Sequence, residues 1–229
     1  MSIAVPLPNG AVTVTSAWER PAGESRGVVA IAHGAGAGMG HPFLIGFAAA
    51  LREQGFTTLR FNFPYVEAGR RLPGPAAHAI LTWRAVVEWI RAEEADAADS
   101  AEPNAPVWAC GKSYGGRMAS MAAAEGMQVD GLVYLGYPLH PPGRPEKPRV
   151  EHLPVVRPPQ LFVEGTNDPF VQPLSQLEEA VAACQDARIA WIEGGGHSFE
   201  VKGRKRPADQ VGASLAPLVG EFIVERGLG

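Results

Sequence analysis

Ser113 is the residue whose surroundings most suggest chemistry. It stands in Gly111-Lys112-Ser113-Tyr114-Gly115-Gly116, between the apolar run Val107 to Cys110 and a stretch rich in Ala and Met. A serine hydroxyl is a poor nucleophile unless it is exposed, oriented and next to a base. The pattern Gly-X-Ser-X-Gly predicts a sharp strand-to-helix turn that lifts Ser113 above a sheet, with Gly111 and Gly115 small so that strand and helix can approach. The N–H of Tyr114 would then point into the site as half of an oxyanion hole, reinforced by the partial positive charge of the helix start. A phosphate-binding loop is excluded, because Pro106 occupies the position five residues before Gly111 where that motif needs glycine. Lys112 accordingly reads as a turn residue.

An activated serine needs a base, and the base needs an orienting acid. Of the histidines after Ser113 (His140, His152 and His197), only His197 lies beyond the last expected strand. It sits in Gly194-Gly195-Gly196-His197-Ser198-Phe199, where the glycines would leave room for the ring to swing in. Asp168, in Gly165-Thr166-Asn167-Asp168-Pro169-Phe170, follows a strand and is the expected acid; Glu164, at the end of the same strand, is the alternative. The chemistry implied is acyl transfer to water, which requires no metal and no organic cofactor.

The second oxyanion donor must come from another loop. His33-Gly34-Ala35-Gly36-Ala37-Gly38-Met39-Gly40 follows an apolar run and precedes a helix. As a dinucleotide fingerprint it fails: Met39 or His41 stands where the third glycine belongs, and the next strand carries Arg60 and Asn62 rather than a terminal acid. The N–H of Ala35 is the preferred donor, with Gly36 next to it. His33 reads as a brace for this loop and His41 as a surface or loop residue. Tyr137, Leu139 and His140 are candidates to line the substrate pocket, or else part of a rigid loop packed on the core.

Apolar strand-like runs alternate with amphipathic stretches, which predicts a mostly parallel sheet covered by helices on both faces. Strands are expected at Ala11 to Ala17, Val28 to Ala32, Thr57 to Phe63, Val107 to Cys110, Val129 to Gly136, Gln160 to Glu164 and Arg188 to Ile192. Helices are expected from Pro42 to Gln54, from about Pro75 to Ala95, after Ser113, from Leu174 to Ala183 and from Ala208 to Arg226. Phe43, Leu44, Phe47 and Leu51 recur at helical spacing in the first of these. Pro64 to Pro75 reads as a loop, Asp96 to Pro106 as an exposed connection and Tyr137 to Pro158 as a proline-rich loop. That last loop is too short for a helical lid, so the site is expected to be open and suited to small or exposed esters. No repeat or linker divides the chain, and residues 1–229 read as one domain.

Composition narrows the partners. The formal net charge is −4 with no basic stripe, which excludes a nucleic-acid partner. No apolar run spans a bilayer and Met1 to Gly10 lacks the basic start of a signal peptide, so a cytoplasmic location with no membrane partner is expected. Two cysteines leave room for at most one bridge and suggest a reducing compartment. Cys110 reads as a small buried strand residue and Cys184 as incidental to a helix. The expected partner is a small-molecule acyl substrate; the oligomeric state is open.

Six segments occur in order: His33-Gly34-Ala35-Gly36, Arg60-Phe61-Asn62-Phe63-Pro64-Tyr65, Gly111 to Gly116, Gly136-Tyr137-Pro138-Leu139-His140-Pro141-Pro142-Gly143, Gly165 to Phe170 and Gly196 to Phe199. Together they resemble the α/β-hydrolase family of testis-expressed and chromatin-complex-subunit-like proteins, near the dienelactone hydrolases. The resemblance runs from about Gly27 to the end. It implies the α/β-hydrolase fold and the triad Ser113, Asp168 and His197, but no substrate. Dienelactone hydrolases use a cysteine nucleophile, so Ser113 argues against that activity. Three functions follow: a carboxylesterase-like serine hydrolase; a serine peptidase or thioesterase on the same triad; and a non-catalytic interaction module that keeps the fold.

Overall fold

A computed structural model describes residues 1–96 and 105–227 of the chain. Eight strands form one sheet: β1 (Ser2–Leu7), β2 (Gly10–Glu19), β3 (Val28–Ala32), β4 (Thr57–Phe61), β5 (Val107–Lys112), β6 (Gly131–Leu135), β7 (Gln160–Gly165) and β8 (Ala187–Ile192). Their spatial order is β1-β2-β4-β3-β5-β6-β7-β8. The β1–β2 and β2–β4 pairs are antiparallel, and every pair from β4 to β8 is parallel. The central strands β3, β4, β5, β6 and β7 are buried along their whole length. Helices cover both faces, which is why strands such as β3 and β6 are continuous apolar runs rather than alternating ones.

The helices are α1 (Pro42–Glu53), α2 (Pro64–Glu67), α3 (Ala76–Asp96), α4 (Tyr114–Ala124), α5 (Leu174–Ala182), α6 (Ala208–Ala213) and α7 (Ala216–Gly227). One core cluster joins α3 and α4 to one face of the sheet, with Trp83, Phe61, Tyr134 and Phe162 fully buried. The other joins α1 and the C-terminal helices to the opposite face, with Phe47, Trp108 and Phe222 at its centre. Alternate strand residues feed the two clusters: Ala30 and Ala109 enter the first, Val29, Ile31 and Cys110 the second.

The structure corrects several expected boundaries. The first ten residues hold a strand, β1, which pairs along its whole length with β2; Pro6 had obscured it, and an edge strand tolerates proline. The strand expected to reach Phe63 ends at Phe61, and Pro64 opens the short helix α2 where a loop was expected. The single closing helix is two, α6 and α7, with Ser214 at the C-cap of the first. The exposed connection expected over Asp96 to Pro106 falls largely outside the described residues. Between β6 and β7 the only helical piece among the described residues is a 3-10 turn, Leu153–Val155, so there is no lid. Among the described residues no helix is long and apolar enough to cross a membrane.

Candidate active site

Ser113, Asp168 and His197 meet at the carboxyl ends of β5 and β7. Ser113 has φ 50° and ψ −114° and immediately precedes α4. A non-glycine residue at positive φ is strained by about 1–3 kcal/mol. The surrounding backbone holds it: Ser113 N–H donates to the Leu135 carbonyl at 3.0 Å, and the Arg117 N–H donates to the Ser113 carbonyl at 3.1 Å. The glycines on either side are dictated by space. A Cβ on Gly111 would fall inside the backbone of Gly115 and Gly116, and one on Gly115 would lie 2.6 Å from the His33 carbonyl oxygen. We therefore expect Gly111→Ala to fail to reach the native fold or to lower the thermal midpoint by more than 10 °C, measured by circular dichroism.

His197 Nε2 lies 2.8 Å from Ser113 Oγ, and His197 Nδ1 lies 2.6 Å from Asp168 Oδ2. Asp168 is fully buried, and its other oxygen accepts the Phe170 N–H at 2.8 Å. The Phe170 ring packs on the imidazole with centroids 4.2 Å apart. Burial pulls the His197 pKa below its ordinary 6.5, against the upward pull of the Asp168 hydrogen bond. The ring is therefore neutral at pH 7, the state that accepts a proton.

The acid turn and the histidine loop are stitched together. Asn167 N–H donates to the Gly195 carbonyl at 2.9 Å, and Gly194 N–H donates to Thr166 Oγ1 at 2.8 Å. A Cβ on Gly165 would collide with the Gly195 carbonyl. The glycines before His197 thus serve close backbone approach to β7 more than free swing of the ring. Phe199, fully buried at φ 65°, anchors the far side of the loop against Phe43, with centroids 6.0 Å apart.

Glu164 does not touch His197. One carboxylate oxygen accepts the Tyr137 N–H, the other has no hydrogen-bond partner, and burial pushes the carboxyl pKa well above the usual range. The group is fully buried. Lys112 is not simply a turn residue. It is nearly buried, and its Nζ donates to the His197 carbonyl at 2.7 Å. Burial lowers its pKa to about 8, with Glu164, Asp168 and Glu200 opposing. Nothing in the local sequence announced this bond, which joins the end of β5 to a loop far away in the chain.

Two N–H groups near Ser113 have no acceptor among the described residues. Tyr114 is the first residue of α4, so its N–H has no partner within the helix. Ala35 is exposed, and among the described residues its N–H meets no acceptor. The loop carrying it is braced from below. His33 Nδ1 contacts the Gly34 carbonyl at 2.8 Å while Nε2 accepts the Phe63 N–H at 3.2 Å, so the buried ring is neutral and satisfied on both sides. Arg60 Nη1 donates to the Met39 carbonyl and Asn62 Oδ1 accepts the Met39 N–H, at 2.9 and 2.8 Å. The segment Arg60 to Tyr65 thus supports the glycine-rich loop from Gly34 to Gly40.

A cavity of about 570 Å³ opens over these groups. Gly34 to Ala37, Ser113 and His197 form its floor; Phe43, Leu44, Phe170, Ala208 and Val211 give apolar walls; Lys112, Glu200 and Arg206 add charge. His41 borders it from an exposed position, its Nδ1 accepting the Phe43 N–H at the start of α1. Tyr137, Leu139 and His140 are not among the lining residues. All three are fully buried, so the pocket-lining expectation is corrected in favour of the rigid loop. Tyr137 Oη donates to the Arg149 carbonyl at 2.9 Å, and His140 N–H donates to the Phe170 carbonyl at 3.2 Å, so the loop supports Phe170 from behind. Phe43 and Leu44 were missed as wall residues because they read only as the apolar face of a helix.

The family described as alpha/beta hydrolase domain matches residues 25–223. The chain belongs to the α/β-hydrolases. Three solved structures share its fold. An alpha-beta serine hydrolase homologue from Coxiella burnetii is 21% identical with a TM-score of 0.72, covering 97% of each chain. Dienelactone hydrolase from Anabaena variabilis is 23% identical with a TM-score of 0.72, covering 99% of this chain and 97% of that one. A serine hydrolase without lid from Xanthomonas campestris is 22% identical with a TM-score of 0.71, covering 97% of this chain and 94% of that one. As an α/β-hydrolase, the chain places its candidate site where this architecture puts ligands, at the carboxyl ends of parallel strands.

Proposed function

We propose that this α/β-hydrolase is a carboxylesterase-like serine hydrolase acting on small or exposed esters through an acyl-enzyme, over a single domain, residues 1–229. The continuous hydrogen-bonded line from Ser113 through His197 to Asp168 carries this reading. His197 takes the Ser113 proton as Oγ attacks the acyl carbon, and the N–H groups of Tyr114 and Ala35 hold the oxyanion. The alkoxide departs with the proton from His197, and water repeats the cycle on the acyl-enzyme. The open, lidless cavity supports small substrates. A solved esterase from Butyrivibrio proteoclasticus with this fold has been seen with ferulic acid bound; an aromatic acyl group of that size is compatible with the cavity here. The Tyr137 to Gly143 run supports placement among the testis-expressed and chromatin-complex-subunit-like hydrolases. A peptidase or thioesterase would use the same triad. A scaffold would have no use for the strain at Ser113.

The deciding experiment is labelling with a small fluorophosphonate, read by intact mass. One adduct per chain is expected, and its absence from a folded protein overturns the hydrolase reading. The labelling rate against pH should show an acid limb below pH 6.5, since protonated His197 cannot act as base and burial holds its pKa down. Removing the neighbouring cation with Lys112→Met should shift that limb upward, because Lys112 disfavours the imidazolium, and should slow labelling by about tenfold as the His197 loop loses its tether. An unmoved limb and an unchanged labelling rate in a folded variant would show that Lys112 does neither.

A further inference from the structure

The segment that follows the candidate histidine carries a concentration of charge at odds with the rest of the chain. The whole protein has a formal net charge of −4, yet Lys202, Arg204, Lys205 and Arg206 fall within five residues of one another. All four are exposed. None takes part in an ion pair among the described residues. The segment is not a free tail: isolated bridges join Gly195 to Val201 and Val201 to Arg204, which tie it to the His197 loop. Arg206 itself lines the cavity, and α6, which begins at Ala208, supplies Ala208 and Val211 to the same wall. The opposing charges nearby are Glu200, also at the cavity, and Asp209 in the first turn of α6. Lys112, already bonded to the His197 carbonyl, adds a fifth cation at the floor.

Like charges packed together repel one another, and a cleft with low-dielectric walls focuses their field into the opening. An anion carried by the substrate would relieve that repulsion and be drawn in by the field. We propose that the substrate of this site is an anionic ester or thioester, its carboxylate or phosphate met by Arg206 at the cavity and drawn in by the neighbouring charges of Lys202, Arg204 and Lys205, while its acyl carbon lies at Ser113. The proposal rests on the serine-hydrolase reading and adds the charge of the substrate to it. The chemistry of recognition is common to an anion on the acyl part and one on the leaving group. Contacts of this kind act on ground state and transition state alike, so they lower KM more than they raise kcat.

The test compares the full chain with a variant carrying K202Q, R204Q, K205Q and R206Q, all exposed changes. Two substrate pairs are used. In 4-nitrophenyl hydrogen succinate against 4-nitrophenyl butyrate the charge lies on the acyl side; in 4-acetoxybenzoate against its methyl ester it lies on the leaving group. The ratio of wild type to variant for each ester cancels its intrinsic reactivity. At low ionic strength, kcat/KM for the anionic member of one pair should fall about tenfold more in the variant than that of its neutral partner, chiefly through KM. Added NaCl should erase the wild type's advantage on the same ester. The pair that responds locates the anion. Equal ratios for all four esters, with no salt effect, overturn the proposal while leaving the hydrolase reading intact. A wild type that cleaves none of them and takes no fluorophosphonate overturns both.

Discussion

Replacing Ser113 with alanine should lower kcat by at least about 10,000-fold and abolish fluorophosphonate labelling, without loss of the fold. Among the described residues the hydroxyl is the only group hydrogen-bonded to His197 Nε2, at 2.8 Å, so no described neighbour is placed to replace it as nucleophile. Ser113→Gly is more discriminating. Glycine adopts φ near 50° without a Cβ clash, which relieves strain of about 1–3 kcal/mol and gives back about 0.5–1 kcal/mol in unfolded-chain entropy. The glycine variant should therefore be inactive yet no less stable than wild type in urea denaturation. Dead and undiminished in stability is the signature of a residue kept for chemistry at the expense of the fold. An interaction module would instead keep its binding and lose no turnover.

Asp168→Asn should lower kcat by about 10,000-fold with little effect on KM. The Asp168 carboxylate accepts two bonds, one from His197 Nδ1–H and one from the Phe170 N–H. An asparagine has one oxygen. If it serves Phe170, its amide N–H meets His197 Nδ1 and forces the tautomer whose Nε2 bears the proton, which cannot take one from Ser113. Glu164→Gln is the control that separates the two carboxylates. Burial raises the Glu164 carboxyl pKa well above the usual range, and among the described residues the group accepts only the Tyr137 N–H, a bond that a glutamine oxygen also makes. Its kcat should fall less than about tenfold. Steady-state rates on a neutral nitrophenyl ester, with labelling rates beside them, decide both. Comparable losses in the two variants would mean that the orienting acid has been misassigned.

The sequence alone determined the parts of this protein that are local or repetitive. Buried parallel strands are continuous apolar runs, so Val28 to Ala32 and Gln160 to Glu164 were legible as core strands. The Ser113 turn was legible because its steric demands fall within six residues, Gly111 to Gly116, and admit few other sequences. Asp168 and His197 could be chosen because chain order and strand ends leave few candidates for each. The tertiary structure alone decided what depends on contacts between distant segments. Lys112 reaches the His197 carbonyl across 85 residues of chain, a bond with no local pattern. Glu164 and Asp168 differ by four positions, and only the packing around β7 buries one beside the Tyr137 N–H and puts the other on the imidazole. Tyr137, Leu139 and His140 stand in a motif that draws attention, yet their burial makes them a support for Phe170. Polar and apolar residues carry the same letters whether they face substrate or core, and only three-dimensional packing separates those environments.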